Sequence, residues 1–262
     1  MAKTPPHKSL NGMSAPNDQE MPLIQHLVEL RNRLMRIVLF VLVIFSGLFY
    51  FANDIYSFVS EPLQRYLPEN STMIATEVAS PFLTPFKLTF FLALFMAMPF
   101  VLFQIWSFIS PALYQKEKRL AVPLLISSII LFYAGMAFAY FVVFPIIFGF
   151  FTSVGPTDVT VMTDISSYLD FVLKLFFAFG VAFEIPIVAI ILIVAGVISA
   201  DGLAQKRPYI VVFCFVLGML LTPPDVISQS LLAIPMWLLF EVGLLFGRML
   251  SRNKSEASTS ES

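Results

Sequence analysis

"LTFFLALFMAMPFVLFQIWSFISPALYQKEKRLAVPLL", residues 88–125, decides the fold. It carries no charge from Leu88 to Gln115. Four charged residues follow in a row, Lys116, Glu117, Lys118 and Arg119, and a second uncharged stretch runs from Leu120 to Thr157. A helix needs about 20 apolar residues to cross the hydrocarbon core of a bilayer. Each flank is long enough, so the charged island reads as a turn at a membrane surface.

The pattern repeats outward in both directions. Apolar stretches fall at Ile37–Asn53, from Leu175 past Glu184 to Ala200, at Pro208–Pro224 and at Val226–Phe240. This predicts an all-α membrane protein of six transmembrane helices, at about 36–53, 88–110, 120–145, 168–198, 208–222 and 226–246. They form one domain, 21–250. The polar ends, 1–20 and 251–262, read as disordered. Composition agrees. The 262 residues are 58% hydrophobic and 13% charged, with a mean hydropathy of +0.85. A soluble domain is about 25% charged.

Other classes are excluded in turn. A net charge of −1 gives no global field for nucleic acid. The single cysteine, Cys214, permits no intramolecular disulfide. His7 and His26 both precede the first apolar run, which leaves no histidine metal site or Ser–His pair inside a membrane. Phosphate-loop, GxSxG and HExxH motifs are absent, so no enzyme activity and no cofactor are expected.

Lysine and arginine set the orientation. Lys3, Lys8, Arg31, Arg33, Arg36, Lys116, Lys118, Arg119, Lys206, Arg207, Arg248, Arg252 and Lys254 fall on one side, with both termini. The other side holds Arg65, Lys87 and Lys174. Both termini are therefore expected in the cytoplasm. "SYLD" from Ser167 suits a capping box, with Asp170 and Lys174 paired one turn apart.

Only 17 residues separate Arg207 from Asp225, and 15 separate Asp225 from Glu241. Either Arg207 and Glu241 lie deep, or the bilayer thins there. Pro99, Pro123, Pro145, Pro186 and Pro235 lie in or beside spans, as ordinary membrane-helix prolines or as the bends of a curved assembly. The loop from Asp54 to Pro85 is too long to lack structure, and Ile55, Phe58, Val59 and Leu63 have helical spacing.

Carboxylates near or inside a membrane are costly and need reasons. Glu117 fits either a solvated turn or a guanidinium acceptor beside Trp106, Phe108 and Tyr114. Glu29, in the segment whose Leu23, Leu27, Leu30 and Leu34 form one apolar stripe, is placed by spacing alone to pair with Arg33. Glu184 lies mid-span with no cation one turn away, so it faces a cavity or partner or is protonated. Asp225, after two prolines, suits a helix cap.

In order and spacing, "HLVELRNRL" (26–34), "TEVASPF" (76–82), "SPALYQKEKRLAVPLL" (110–125), "FYAGMAFAYFVVFP" (132–145), "FEIP" (183–186), "KRPY" (206–209) and "GMLLTPPDVISQ" (218–229) resemble the TatC family of Gram-negative type. The resemblance implies a concave, glove-like bundle kinked at prolines, in the cell inner membrane. It implies the receptor and core subunit of the twin-arginine translocation system. Such a subunit binds twin-arginine signal peptides of folded proteins and exports them with single-span TatA and TatB, and other TatC copies, using the proton motive force. By the same resemblance Glu29 and Glu117 bind the arginine pair, with Phe108 and Leu34 on that patch. Glu184 is the intramembrane acid of the concave face. Thr222 and Gln229 dock partner helices, and Pro62 and Asp225 matter on the outer side. Glu77 stands where the family pattern has aspartate and keeps the charge. A different class, a proton-coupled small-solute transporter using Glu184, predicts solute uptake by this chain alone.

Overall fold

The computed structural model describes residues 20–64, 73–109, 118–154, 163–221 and 226–260. Helix α1, Glu20–Phe49, unites the amphipathic entry and the first span in one rod. At 1.5 Å per residue its 30 residues reach about 45 Å, longer than a bilayer core. Helix α2, Ala52–Gln64, folds the first long loop as its apolar spacing predicts: Ile55 and Val59 pack inward, whereas Phe58 faces out. Strand β1, Met73–Ile74, pairs in parallel with β2, Thr163–Asp164, joining two distant loops.

Helix α3 is Ser80–Ile109. The next span is built of α4, Lys118–Phe138, a π-helical turn, Ala139–Val143, and α5, Phe144–Val154. The π turn lies directly before Pro145, whose ring removes a backbone donor and opens the helical ladder. Helix α6, Ile165–Ala182, and α7, Ile185–Val194, form the fourth span, broken at Phe183–Glu184 just ahead of Pro186. A left-handed Gly196 (φ 69°) ends it: Val197 N–H reaches the Leu192 carbonyl and Gly196 N–H the Ile193 carbonyl. Short α8, Ala200–Gln205, leads to α9, Arg207–Leu221, and α10, Val226–Ser260, which runs past the expected boundary at 250.

Among the described residues, five helical segments are long and apolar enough to cross a membrane: Leu27–Phe49, Ser80–Ile109, Ala121–Phe150, Ile165–Val194 and Gln229–Leu250. Helix α9 is a sixth, shorter apolar helix. Of the two alternatives for the last spans, α10 takes the first: Glu241 lies within the helix and does not end it. Arg207 donates from Nε to Glu241 Oε1 at 2.6 Å and from Nη2 to Oε2 at 2.7 Å, so each charge answers the other and α10 continues. Only α9, 15 residues and about 22 Å long, remains shorter than a bilayer core.

Two local assignments also change. The cap of α6 is Asp164, whose carboxylate accepts from Ser167 N–H at 2.8 Å, so the helix starts before the "SYLD" box. Asp170 pairs with Lys87 on α3 at 3.0 Å rather than with Lys174. Lys174 is exposed, and a neighbouring helix offers Asp170 the better-placed ammonium.

The core centres on α6, α7 and α10, with Phe132, Phe144, Phe179, Leu232 and Met236 fully enclosed. Close approach needs small residues. A Cβ on Gly243 of α10 would lie 2.5 Å from Pro186 Cα, so only glycine lets α10 reach the break in the fourth span. Helix α1 is different. It leans on α3 through rings such as Phe40–Phe100 and Phe45–Phe86, and only 6% of its apolar window is buried against 50% for the fourth span.

Candidate functional site

Two polar constellations stand out, one where α1 begins and α3 ends, the other inside the bundle. The first is organised by Arg33. Its Nε and Nη2 donate to Glu29 Oε1 at 3.0 and 2.5 Å, the one-turn pair that spacing predicts. The same guanidinium reaches α3, with Nη1 to Gln104 Oε1 at 3.4 Å and Nη2 to the Ser107 carbonyl at 3.1 Å. Arg33 therefore straps α1 to the end of α3. Gln104 is buried, so its amide needs a partner and Arg33 supplies one.

This strap brings Glu29 to the end of α3 that carries Phe108. Leu34 lies one residue beyond Arg33 and is 56% exposed. Of the four residues expected at the arginine patch, Glu29, Leu34 and Phe108 thus lie at the junction of α1 and α3. Glu117 lies outside the described residues. The Glu29 side chain is 41% exposed and that of Arg33 19%, so the carboxylate is open while its partner is mostly covered. Sequence reading found the Arg33 pairing but missed Gln104 and Ser107, because contacts 71 and 74 residues away have no periodic signal.

The second constellation is a chain of three side chains on three spans. Trp106 Nε1–H donates to Ser128 Oγ at 3.2 Å, and the Ser128 hydroxyl donates to Glu184 Oε2 at 2.7 Å. Glu184 sits at the break before Pro186, where Val188 N–H still bonds its carbonyl at 2.9 Å. Its second oxygen, Oε1, is buried and has no hydrogen-bond partner among the described residues. The side chain borders an apolar groove of about 310 Å³ with Val181, Val188, Phe213 and Phe240. A cavity is one of the surroundings the sequence leaves open for mid-span Glu184, beside a partner or protonation. Trp106 and Ser128 were not singled out as its partners, since each reads as an ordinary residue of an apolar run.

The remaining positions are spread out. Gln229 is in the first turn of α10, its backbone against Gly218 of α9: a Cβ there would come within 3.2 Å of the Gln229 carbonyl. Pro62 falls in the last turn of α2. Thr222 and Asp225 lie outside the described residues. At the opposite end, Asp164 Oδ2 accepts from Thr76 N–H at 3.0 Å and Thr76 Oγ1–H at 2.7 Å, tying β1 to α6. Bonds from the backbone N–H groups of Ser167 and Thr76, then from the Thr76 hydroxyl, hold its carboxyl well below the usual range.

The family model for the Sec-independent protein translocase protein TatC matches residues 25–235. A TatC of Azotobacter chroococcum mcd 1 is 63% identical over 94% of this chain and 96% of its own length. That of Escherichia coli K12 is 56% identical over 91% and 94%. A crystal structure of the twin-arginine translocase receptor TatC superposes with a TM-score of 0.77 at 40% identity, covering 86% of this chain and 98% of that one.

Proposed function

The chain belongs to the TatC family of Sec-independent protein translocase proteins, and from that premise we propose that it is the receptor and core subunit of twin-arginine translocation, with Glu29 as one acceptor of the signal peptide's arginines. It recognises twin-arginine signal peptides of folded proteins on the cytoplasmic face of the inner membrane. Export then proceeds with TatA and TatB on the proton motive force. Both termini lie in the cytoplasm, and 21–250 is the working domain. The small-solute transporter reading loses its ground to family membership.

One observation carries the site: a half-exposed carboxylate held at the junction of α1 and α3, with one oxygen still open. Guanidinium is the cation such an acceptor favours, because its planar fork makes two directed bonds where an ammonium is a point charge. Glu117 is the proposed second acceptor, Phe108 and Leu34 the apolar surround. At an effective dielectric near 20, a charge pair at 4 Å is worth about 4 kcal/mol before desolvation, most of which is lost near water. Directed hydrogen bonds, more than charge, must then do the selecting. Gln229 and Thr222 are the proposed docking positions for partner helices, Glu184 the polar contact inside the bundle, and Pro62 and Asp225 the sensitive positions of the outer side.

The test is site-specific crosslinking of a twin-arginine peptide to the full chain in membranes, with a lysine-pair peptide as control. Glu117→Ala and Glu29→Ala should insert normally and lose the crosslink. Undiminished crosslinking in both variants overturns the site.

A further inference from the structure

Glu29 is not empty. Arg33 already donates twice to it, and both bonds land on the same oxygen, Oε1. Oε2 accepts no hydrogen bond among the described residues. A guanidinium of this chain therefore occupies half of a carboxylate read as an arginine receptor. Arg33 also has somewhere else to go, since Gln104 Oε1 and the Ser107 carbonyl already accept from it.

We propose that Arg33 is the specificity-determining residue of the Glu29 acceptor: a resident guanidinium that admits an incoming arginine and rejects a lysine. The proposal rests on the reading of Glu29 as a receptor carboxylate. With Arg33 in place the pair is close to neutral, so a passing cation gains little from charge alone. It must win by directed bonds. An arriving guanidinium donates to open Oε2 and, with its second N–H, takes over Oε1 in the carboxylate plane. Arg33 then keeps Nη1 on Gln104 and Nη2 on the Ser107 carbonyl, so only its Nε–H must find a new partner. An ammonium has no planar fork to span both oxygens, and it meets Arg33 as an unrelieved like charge. The exchange also links occupancy to packing, because Arg33 ends up bound to α3 alone.

The test compares crosslinking of arginine-pair and lysine-pair peptides to the full chain in inner-membrane vesicles, together with its single-span partners. Arg33→Gln leaves Glu29 as a bare carboxylate that takes either cation. Lysine-pair crosslinking should rise, and the arginine-to-lysine preference should fall by about tenfold, equivalent to about 1.4 kcal/mol. If Arg33→Gln does not accumulate, Arg33→Lys keeps the charge without the fork and should show a smaller fall in the same direction. An unchanged preference, or equal loss of both peptides from an inserted variant, overturns the proposal. Glu29→Gln separates the two levels. Loss of crosslinking there with an unchanged preference in Arg33→Gln defeats only the role of Arg33. Full crosslinking in Glu29→Gln defeats the receptor reading itself.

Discussion

Glu29 and Glu184 are both carboxylates beside apolar helices, yet their surroundings are built on opposite plans. Glu29 rides on a helix that touches the molecule along one side, half open to solvent, its charge met by a guanidinium one turn away. Glu184 lies at a break in the most buried span, met by a neutral hydroxyl and left with a bare oxygen. A one-turn ion pair on a helix contributes about 0.3–0.5 kcal/mol, so the first arrangement is cheap to make and cheap to exchange. The second is set by packing and cannot rearrange without moving helices. A receptor for a transient peptide suits the first plan, and a fixed element of the bundle suits the second.

The sharpest way to break this contrast is steric. Gly243→Val would drive a side chain into Pro186 at the break beside Glu184, an overpacking that typically costs 1–3 kcal/mol and occasionally more. We expect poor accumulation and a strongly lowered unfolding temperature in detergent. Gly47→Val on α1 meets nothing within 4 Å and should stay within about 0.5 kcal/mol of the parent. Equal losses from the two variants would show that α1 is as tightly packed as the core.

A smaller effect is expected from Ser128→Ala. It strands the Trp106 N–H and removes the hydrogen bond to Glu184 Oε2, in a site already holding one unpartnered oxygen. Leaving a buried polar group unsatisfied costs about 1–3 kcal/mol, although helix-to-helix bonds in membranes average nearer 0.6. Thermal unfolding should therefore shift down while twin-arginine crosslinking persists. Glu29→Gln should do the reverse, with a stability change of about 0.5 kcal/mol or less and loss of the crosslink. A crosslink lost in Ser128→Ala would join the two regions into one site.

Much of the architecture was readable because hydrocarbon imposes one demand on every span: a run of about 20 apolar residues whose backbone groups are bonded within it. The island at 116–119 and the runs around it needed no tertiary knowledge. What escaped depends on meetings between distant residues. The Arg207–Glu241 pair spans 34 positions, and without it both charges look like helix ends. Asp170 has a lysine one turn away in sequence and a better one on α3 in space. Trp106 and Ser128 carry no pattern that marks them as partners of Glu184. At the candidate receptor, spacing could find Glu29 with Arg33, but only the fold adds Gln104 and Ser107, and those two make Arg33 more than half of an ion pair.

A third carboxylate sharpens the contrast at the opposite end. Asp164 is solvent-exposed like Glu29 yet fully engaged, accepting from Ser167 N–H, Thr76 N–H and the Thr76 hydroxyl. These bonds favour the ionised form, so folding depresses its pKa. The sign follows: the unfolded aspartate, with a pKa of about 3.9, binds a proton more readily than the folded one. Its contribution is complete above that value and fades as pH falls below about 4 toward the folded pKa. Amide exchange at Thr76 and Ser167 should accelerate over that acid window in the parent. Asp164→Asn, which keeps an acceptor but no titrating charge, should exchange faster at neutral pH and respond less to acid. The unfolding temperature at neutral pH should move least of all the variants named. An acid response in the asparagine variant equal to the parent's would assign the effect to other groups and leave Glu29 as the more firmly held exposed acid.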